Sequence, residues 1–328
     1  MNLFICVTPL QILICEKIIE NYHNDEFEFA IIENSNDKKI KHYINHIKTK
    51  AKKTIVFKLK KNSKLASLKA LFKVRVFYAN RYYENVFLVT PKDFIPRMIL
   101  NNIKFNNLFS FDDGAANIFK DSWVYESEFK NLSFLKRTIR YFLERFFSLK
   151  PKNSEYYMAK IKLHFTIFKN LPNIAENTKF LSLLDDRQLT NAKNKYKKVS
   201  IFLGQPIYGN NVEKNQKIIE AVIKKYSIDY YLPHPRDEYK ITNANYIKTD
   251  LISEDYFLKQ IEKNCEIRYV FYGFFTTSFF TLVQIKDVQI NAIYIKNDSV
   301  FFDKKDLFDL MKNLGINIIS FDKEEDIF

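Results

Sequence analysis

The chain has 328 residues, 47% of them hydrophobic and 27% charged, with a formal net charge of +14. That length exceeds one ordinary core and suits two, and the composition is that of a globular protein rather than a disordered or fibrous one. No apolar run approaches the roughly 18 residues of a membrane span, and the apolar start, interrupted by Pro9 and Gln11, has neither a basic leader nor a small-residue cleavage site, which argues against a signal peptide.

Residues 3–7 are a continuous apolar run of strand length that stops at Thr8-Pro9. Threonine is a good helix N-cap and proline fits the first helical position. Leu10, Leu13, Ile14 and Ile18 then follow at helical spacing. A buried strand that feeds straight into a capped helix opens a parallel α/β domain. The pattern repeats, with strands expected over 27–32, 54–57, 84–90 and 107–111 and helices over 38–49, 65–72 and 93–101. This alternation predicts a doubly wound sheet, in which ligands bind beyond the carboxyl ends of the strands. Asp112-Asp113-Gly114 falls at such an end.

Alternation weakens after about residue 121. An aromatic and basic helix is expected over 134–147, with Arg137, Arg140 and Arg145 among its rings; it fits a packed helix, a membrane surface or a partner subunit. A strand is expected over 161–167 within a segment read as a connector. Strands then return over 199–203, 229–232, 245–247, 267–272, 288–295 and 316–320, with helices over 212–226, 255–262, 276–284 and 304–313. The expected division is a first Rossmann-like domain over 1–150, a connector over 151–197 and a second Rossmann-like domain over 198–328.

The positive charge suits nucleic acid, an anionic membrane surface or anionic small molecules such as sugar nucleotides. A denser lysine patch runs from Lys48 to Lys73 and reads as a solvated face or a membrane contact. Cys6, Cys15 and Cys265 are odd in number and widely spaced, which predicts free thiols in a reducing, cytoplasmic compartment. Neither the cysteines nor the five histidines have metal-site spacing.

Only five glycines occur, and Gly114, Gly204, Gly209 and Gly273 all fall in loops after expected strands. Glycine-rich dinucleotide and P-loop signatures are missing, which removes dinucleotide oxidoreductases and P-loop ATPases. The adjacent Asp112 and Asp113 repel each other, so one should have a raised pKa and suit a general base, unless the pair only caps a turn. His234, rigidly held between Pro233 and Pro235, is a mount for a catalytic imidazole or a structural histidine. Thr276, Thr277 and Ser278 open an expected helix, where hydroxyls and free N–H groups bind phosphate or simply cap. Glu254 and Asp255 open another, and either accept from a ribose or complement the helix dipole.

Together these stretches resemble the bacterial lipooligosaccharide sialyltransferases of glycosyltransferase family 52. The resemblance is carried by Cys-Val-Thr-Pro-Leu-Gln (6–11), Phe-Asp-Asp-Gly-Ala-Ala-Asn-Ile (111–118), Leu-Gly-Gln-Pro (203–206), Pro-His-Pro (233–235) and Tyr-Gly-x-x-Thr-Thr-Ser (272–278), in order over nearly the whole chain. The aspartate pair and the His-Pro step also recur in family 80. The resemblance implies an α/β fold of GT-B type, with two Rossmann-like domains facing across a cleft. It implies transfer from CMP-sialic acid to a terminal galactoside of lipooligosaccharide or a capsular glycan, with inversion and without metal or other cofactor; the linkage stays open between α2,3, the leading choice, and α2,6. Asp112 or Asp113 would take the acceptor proton, and His234 would support the departing phosphate. Thr276, Thr277 or Ser278 would bind that phosphate and Glu254 the ribose, with Gly204, Gln205, Pro235, Tyr272 and Gly273 completing the donor side.

Where relatives carry an acid after the Leu-Gly-x-Pro strand, this chain has Asn210 and Asn211, which leaves Glu213 as the nearest rival base. Two other readings stand beside this one: a family-52 glucosyltransferase, and a non-enzymatic basic protein that binds nucleic acid or membrane. The leading reading expects no nucleic-acid partner, contact with the inner membrane surface, and a homodimer that covers the aromatic middle region.

Overall fold

The computed structural model describes residues 1–22, 25–34, 37–59, 63–119, 122, 124–125, 132–183, 197–264, 266–285 and 288–322. The chain divides into two compact units, Met1–Leu183 and Leu184–Phe328.

The first unit alternates β1 (Asn2–Cys6), α1 (Pro9–Tyr22), β2 (Phe27–Glu33), α2 (Lys38–Lys48), β3 (Lys53–Lys58), α3 (Lys64–Tyr78), β4 (Tyr82–Leu88), α4 (Phe94–Leu100) and β5 (Lys104–Phe111). A 3₁₀ turn (Gly114–Asn117), α5 (Phe134–Phe147), α6 (Ser154–Met158), β6 (Ile161–Thr166) and β7 (Thr178–Phe180) follow. All strands are parallel, in the order β3-β2-β1-β4-β5-β6-β7. Central strands of a parallel sheet are covered on both faces, which is why β1 is buried at every position and apolar from Leu3 to Cys6. One face carries a phenylalanine ladder. Phe4 pairs in register with Phe29 and Phe87, and Phe87 with Phe109, with ring centroids 4.5–5.3 Å apart. Such cross-strand aromatic pairs hold register and give the high aromatic content a packing role.

The second unit contains β8 (Lys197–Leu203), α7 (Val212–Lys225), β9 (Tyr230–Leu232), β10 (Asn245–Tyr246), α8 (Ser253–Lys263), β11 (Ile267–Gly273), α9 (Ser278–Leu282), β12 (Gln289–Ile295), α10 (Ser299–Phe302), α11 (Lys305–Asn313) and β13 (Asn317–Phe321). Its parallel sheet runs β10-β9-β8-β11-β12-β13. Both sheets thus reverse direction beside their first strand, between β1 and β4 and between β8 and β11. Those are the topological switch points where doubly wound sheets bind ligands.

The connector expected over 151–197 is corrected by the structure. β6 pairs with β5 and β7 with β6, so residues through Leu183 complete the first sheet. The weak alternation there has a physical reason: β7 is a three-residue edge strand, exposed along its length, and carries little apolar signal. The helix expected over 276–284 is also shorter, since α9 has five residues and leaves Thr276 and Thr277 before it.

Candidate active site

In the first unit three strand ends converge at the switch point. Thr8 caps α1 through its hydroxyl, which accepts from the Gln11 amide at 3.3 Å. The Gln11 side chain turns back across the end of β1. Its Oε1 accepts from Val7 N at 2.6 Å and its Nε2 donates to Asp113 Oδ1 at 2.7 Å. The Asp113 backbone N–H in turn donates to Asn117 Oδ1 at 2.8 Å, which fixes the turn after β5. Gly114 follows with φ +57°, a left-handed position that glycine takes without strain. Burial raises the Asp113 pKa; the Gln11 hydrogen bond lowers it and the Asp112 charge raises it again. Asp93, at the N-terminus of α4, lies near the same point. Burial and then the Asp113 charge push it up to about 6, against the pull of Arg140 and Arg97. Arg97 is itself buried, paired with Glu144 and donating to the carbonyls of Pro91 and Lys92, so it clamps the loop that presents Asp93.

The two adjacent aspartates differ completely in surroundings. Asp112 is fully buried. Its Oδ1 accepts from His164 Nε2 at 2.8 Å and Asn173 Nδ2 at 3.0 Å. Its Oδ2 accepts from Thr166 Oγ1 and Ile167 N, both at 2.7 Å. His164 Nδ1 meets Ser110 Oγ at 2.7 Å. A carboxylate can only accept, so the ring proton sits on Nε2 and the serine hydroxyl donates to Nδ1 when the ring is neutral. With four donors on two buried oxygens, Asp112 is a strut between β5 and β6, which makes Asp113 the better placed of the two to take a proton. Glu213 is less suited to the role of base. It lies exposed in the first turn of α7, and its ion pair with Lys217 holds the carboxyl below the usual range, which makes it a poor proton acceptor.

In the second unit the Pro-His-Pro turn is organised by a residue that carried no sequence signal, Asp237. Its Oδ2 accepts from the Tyr231 hydroxyl at 2.5 Å and from His234 N at 2.8 Å, and its Oδ1 accepts from the Tyr239 hydroxyl at 2.9 Å. The Arg236 amide donates to His234 Nδ1 at 3.1 Å, which leaves the proton of a neutral ring on Nε2. Gly204 is required by close approach: a Cβ there would stand 2.6 Å from Tyr231 Oη, 2.8 Å from Asp237 Oδ2 and 2.9 Å from His234 N. Gln205 Oε1 accepts from Phe275 N at 3.1 Å and so ties the loop after β8 to the loop after β11. A Cβ on Gly273 would meet Phe279 Cζ at 2.9 Å.

Glu254 and Ser278, assigned to separate tasks from the sequence, prove to be joined. Glu254 is buried; its Oε1 accepts from Ser278 Oγ at 3.1 Å and its Oε2 from Ser253 Oγ at 2.8 Å, while the two serine hydroxyls meet at 2.7 Å. Thr276 is half-buried and Thr277 exposed just before α9. Tyr272 is not part of this group, because its ring stacks on Tyr226 at the end of α7, 5.6 Å between centroids. Pro235 is exposed and helps line a recess of about 390 Å³ together with Pro206, Asn215 and Arg236. Cys6 and Cys15 are free, buried thiols with sulfurs 3.4 Å apart, and Cys265 lies outside the described residues.

Each unit is a parallel-sheet unit with a switch point; the first holds there a half-buried carboxylate of raised pKa and the second carries a rigid histidine turn, groups suited to proton transfer and to an anionic leaving group. The profile of Glycosyltransferase family 52 matches residues 24–297. A CMP-N-acetylneuraminate:beta-galactoside alpha-2,3-sialyltransferase of Pasteurella multocida is 30% identical over 97% of this chain and 99% of its own length. An N-acetyllactosaminide alpha-2,3-sialyltransferase of Haemophilus influenzae is 30% identical over 89% of this chain and 92% of its own. One of the same description from Neisseria meningitidis is 26% identical over 99% of this chain and 86% of its own. Among solved structures, Acinetobacter baumannii MurG has a TM-score of 0.41 at 8% identity, covering 97% of this chain and 85% of its own. The chain belongs to glycosyltransferase family 52, as an enzyme of its bacterial sialyltransferase group, and each of its two units is an α/β unit with a parallel sheet.

Proposed function

We propose that this chain transfers N-acetylneuraminic acid from CMP-N-acetylneuraminate to the 3-hydroxyl of a terminal β-galactoside, with inversion and without a metal ion. The acceptor would be the glycan of a lipooligosaccharide or a capsule. The observation that carries the reading is the near end-to-end match to the Pasteurella relative, whose description names this donor, acceptor and linkage. The geometry supplies roles consistent with it.

The galactose hydroxyl attacks the anomeric carbon as the bond from that carbon to the CMP phosphate oxygen breaks. The hydroxyl proton passes to Asp113, whose raised pKa suits a general base, with Gln11 Nε2 holding the carboxylate in place. The leaving group is already an anion, so the donor side needs hydrogen bonds rather than a strong acid. His234 Nε2–H supports the departing phosphate oxygen. Thr276, Thr277 and Ser278 add hydroxyls, with Ser278 positioned by Glu254. Glu254 keeps acceptor capacity for a ribose hydroxyl, since each carboxylate oxygen accepts about two hydrogen bonds.

The test is CMP release from CMP-N-acetylneuraminate with lactose as acceptor, in buffer containing EDTA. The product is then treated with an α2,3-specific sialidase. The reading expects CMP release that survives EDTA, falls sharply in His234→Ala, and yields a sialidase-labile product. Release of UDP from UDP-glucose, with no CMP formed from the sialyl donor, would overturn it in favour of a glucosyltransferase.

A further inference from the structure

Proline alone does not fix the histidine turn of the second unit. Pro235 locks its own φ and restricts His234 before it to extended backbone, but it leaves the orientation of the turn against the sheet undetermined. Hydrogen bonds supply what is missing. Asp237 N donates to His234 O at 3.0 Å, which closes a four-residue turn with Pro235 in its second position, the place proline favours. The Asp237 side chain closes the turn again from the other end, since its Oδ2 accepts from His234 N at 2.8 Å. The backbone N, backbone O and ring Nδ1 of His234 are therefore all held by residues 236 and 237.

The same carboxylate ties the turn to the core. Tyr231 of β9 is fully buried, stacks on Phe202 of β8 at 6.1 Å and meets Tyr246 of β10 edge-on at 5.3 Å, so its ring cannot shift without disturbing three strands. Its hydroxyl donates to Asp237 Oδ2, and that of Tyr239 donates to Oδ1. Burial, and after it the Asp237 charge, raises the pKa of both phenols, so both stay protonated and donate. Three donors thus meet two oxygens. Only a carboxylate accepts at both oxygens without donating, which is why an aspartate and not an asparagine suits the position. Gly204 leaves no room for a Cβ beside Tyr231 Oη, Asp237 Oδ2 and His234 N, so the loop after β8 closes the cage.

We propose that Asp237 is a positioning residue for the transfer reaction: with Tyr231 and Tyr239 it forms a cage that carries the rigidity of β9 to the His234 ring and holds Nε2–H on the departing phosphate oxygen. The inference rests on the role given to His234 above. In this role Asp237 touches no reacting atom and acts only through the imidazole. Its effect then falls on the transition state and not on donor binding, and a misplacement of about 1 Å there can slow a reaction by roughly 100-fold.

A double-variant cycle on CMP release tests it, with kcat and the KM for CMP-N-acetylneuraminate measured for Asp237→Asn, His234→Ala and the pair. Asp237→Asn is expected to lower kcat by roughly 10- to 100-fold while the donor KM moves by less than about threefold. In the His234→Ala background the same substitution is expected to remove nothing further, because the group it positions is gone. Tyr231→Phe, which deletes one hydroxyl and no charge, is expected to follow the same pattern with a smaller loss, and it carries the cycle if Asp237→Asn does not fold. The inference is overturned if the variant keeps the wild-type kcat or if its loss falls on KM instead. It is equally overturned if the loss is as large without the histidine as with it, since Asp237 would then serve the fold alone. Full-rate CMP release by His234→Ala is a separate result, which would overturn the role of the histidine and this inference with it.

Discussion

Replacing each aspartate of the Asp112-Asp113 pair by asparagine should separate a folding residue from a reacting one. Asp112 receives four donors on two buried oxygens. In Asp112→Asn one oxygen becomes an amide NH₂, so two buried donors face another donor. Each buried group left unsatisfied costs about 1–3 kcal/mol, and the charge assistance of the remaining bonds is lost as well. A total of about 4 kcal/mol is the expected loss, which for a unit of this size lowers the melting temperature by roughly 8–16 °C. Asp113 presents the opposite case. Its folded-state pKa is raised, so its contribution to stability is fully present below the unfolded pKa and is lost as pH rises through the folded one. The neutral amide of Asp113→Asn therefore removes an unfavourable charge near pH 7, and the melting temperature should hold or rise. Activity should fall by about 10²–10⁴-fold, the span of a lost general base. Thermal melts followed by circular dichroism and CMP release at saturating substrate read the two effects independently. If Asp112→Asn melts like the wild type, or Asp113→Asn keeps its turnover, the two aspartates do not divide these roles.

Gln11→Ala removes a hydrogen bond that lowers the Asp113 pKa, so the acid limb of the rate profile should move to higher pH, with activity recovering in alkaline buffer. An unmoved limb would mean that Asp113 is not the group whose ionisation limits the rate. Gly204→Ala drives a methyl group into Tyr231, Asp237 and His234 N, so the histidine turn must shift. Overpacking of this kind costs about 1–3 kcal/mol, and CMP release should fall further than the melting temperature alone accounts for. Unchanged kinetics in that variant would show that the position of the turn does not matter to the reaction.

Most of the secondary structure is legible in the chain because buried parallel strands leave continuous apolar runs and their helices leave caps. The strands over 27–33, 267–273 and 289–295 and the helix over 134–147 fall where periodicity places them. Periodicity does not reach β7, whose three exposed residues carry no pattern. Nor does it reach Gln11, a polar residue buried in the first turn of α1, although that position after a strand end is a usable signal. Asp93 had a comparable signal as the N-cap of α4. Asp237 and His164 had none, since one is a loop residue and the other one of five scattered histidines.

The Phe-Asp-Asp-Gly turn shows where local information stops. Strand, turn and glycine are set by neighbours along the chain, and so is the expectation that one carboxyl is raised by the other. Which aspartate is the strut and which keeps its chemistry depends on partners 52–61 residues later in the chain, on and after β6, and on Gln11, 102 residues earlier. Those groups meet only because the parallel order sets β6 beside β5 and brings the ends of β1, β4 and β5 to one switch point. Burial and the hydrogen bonds it imposes are properties of that assembly, and they decide what each carboxylate can do.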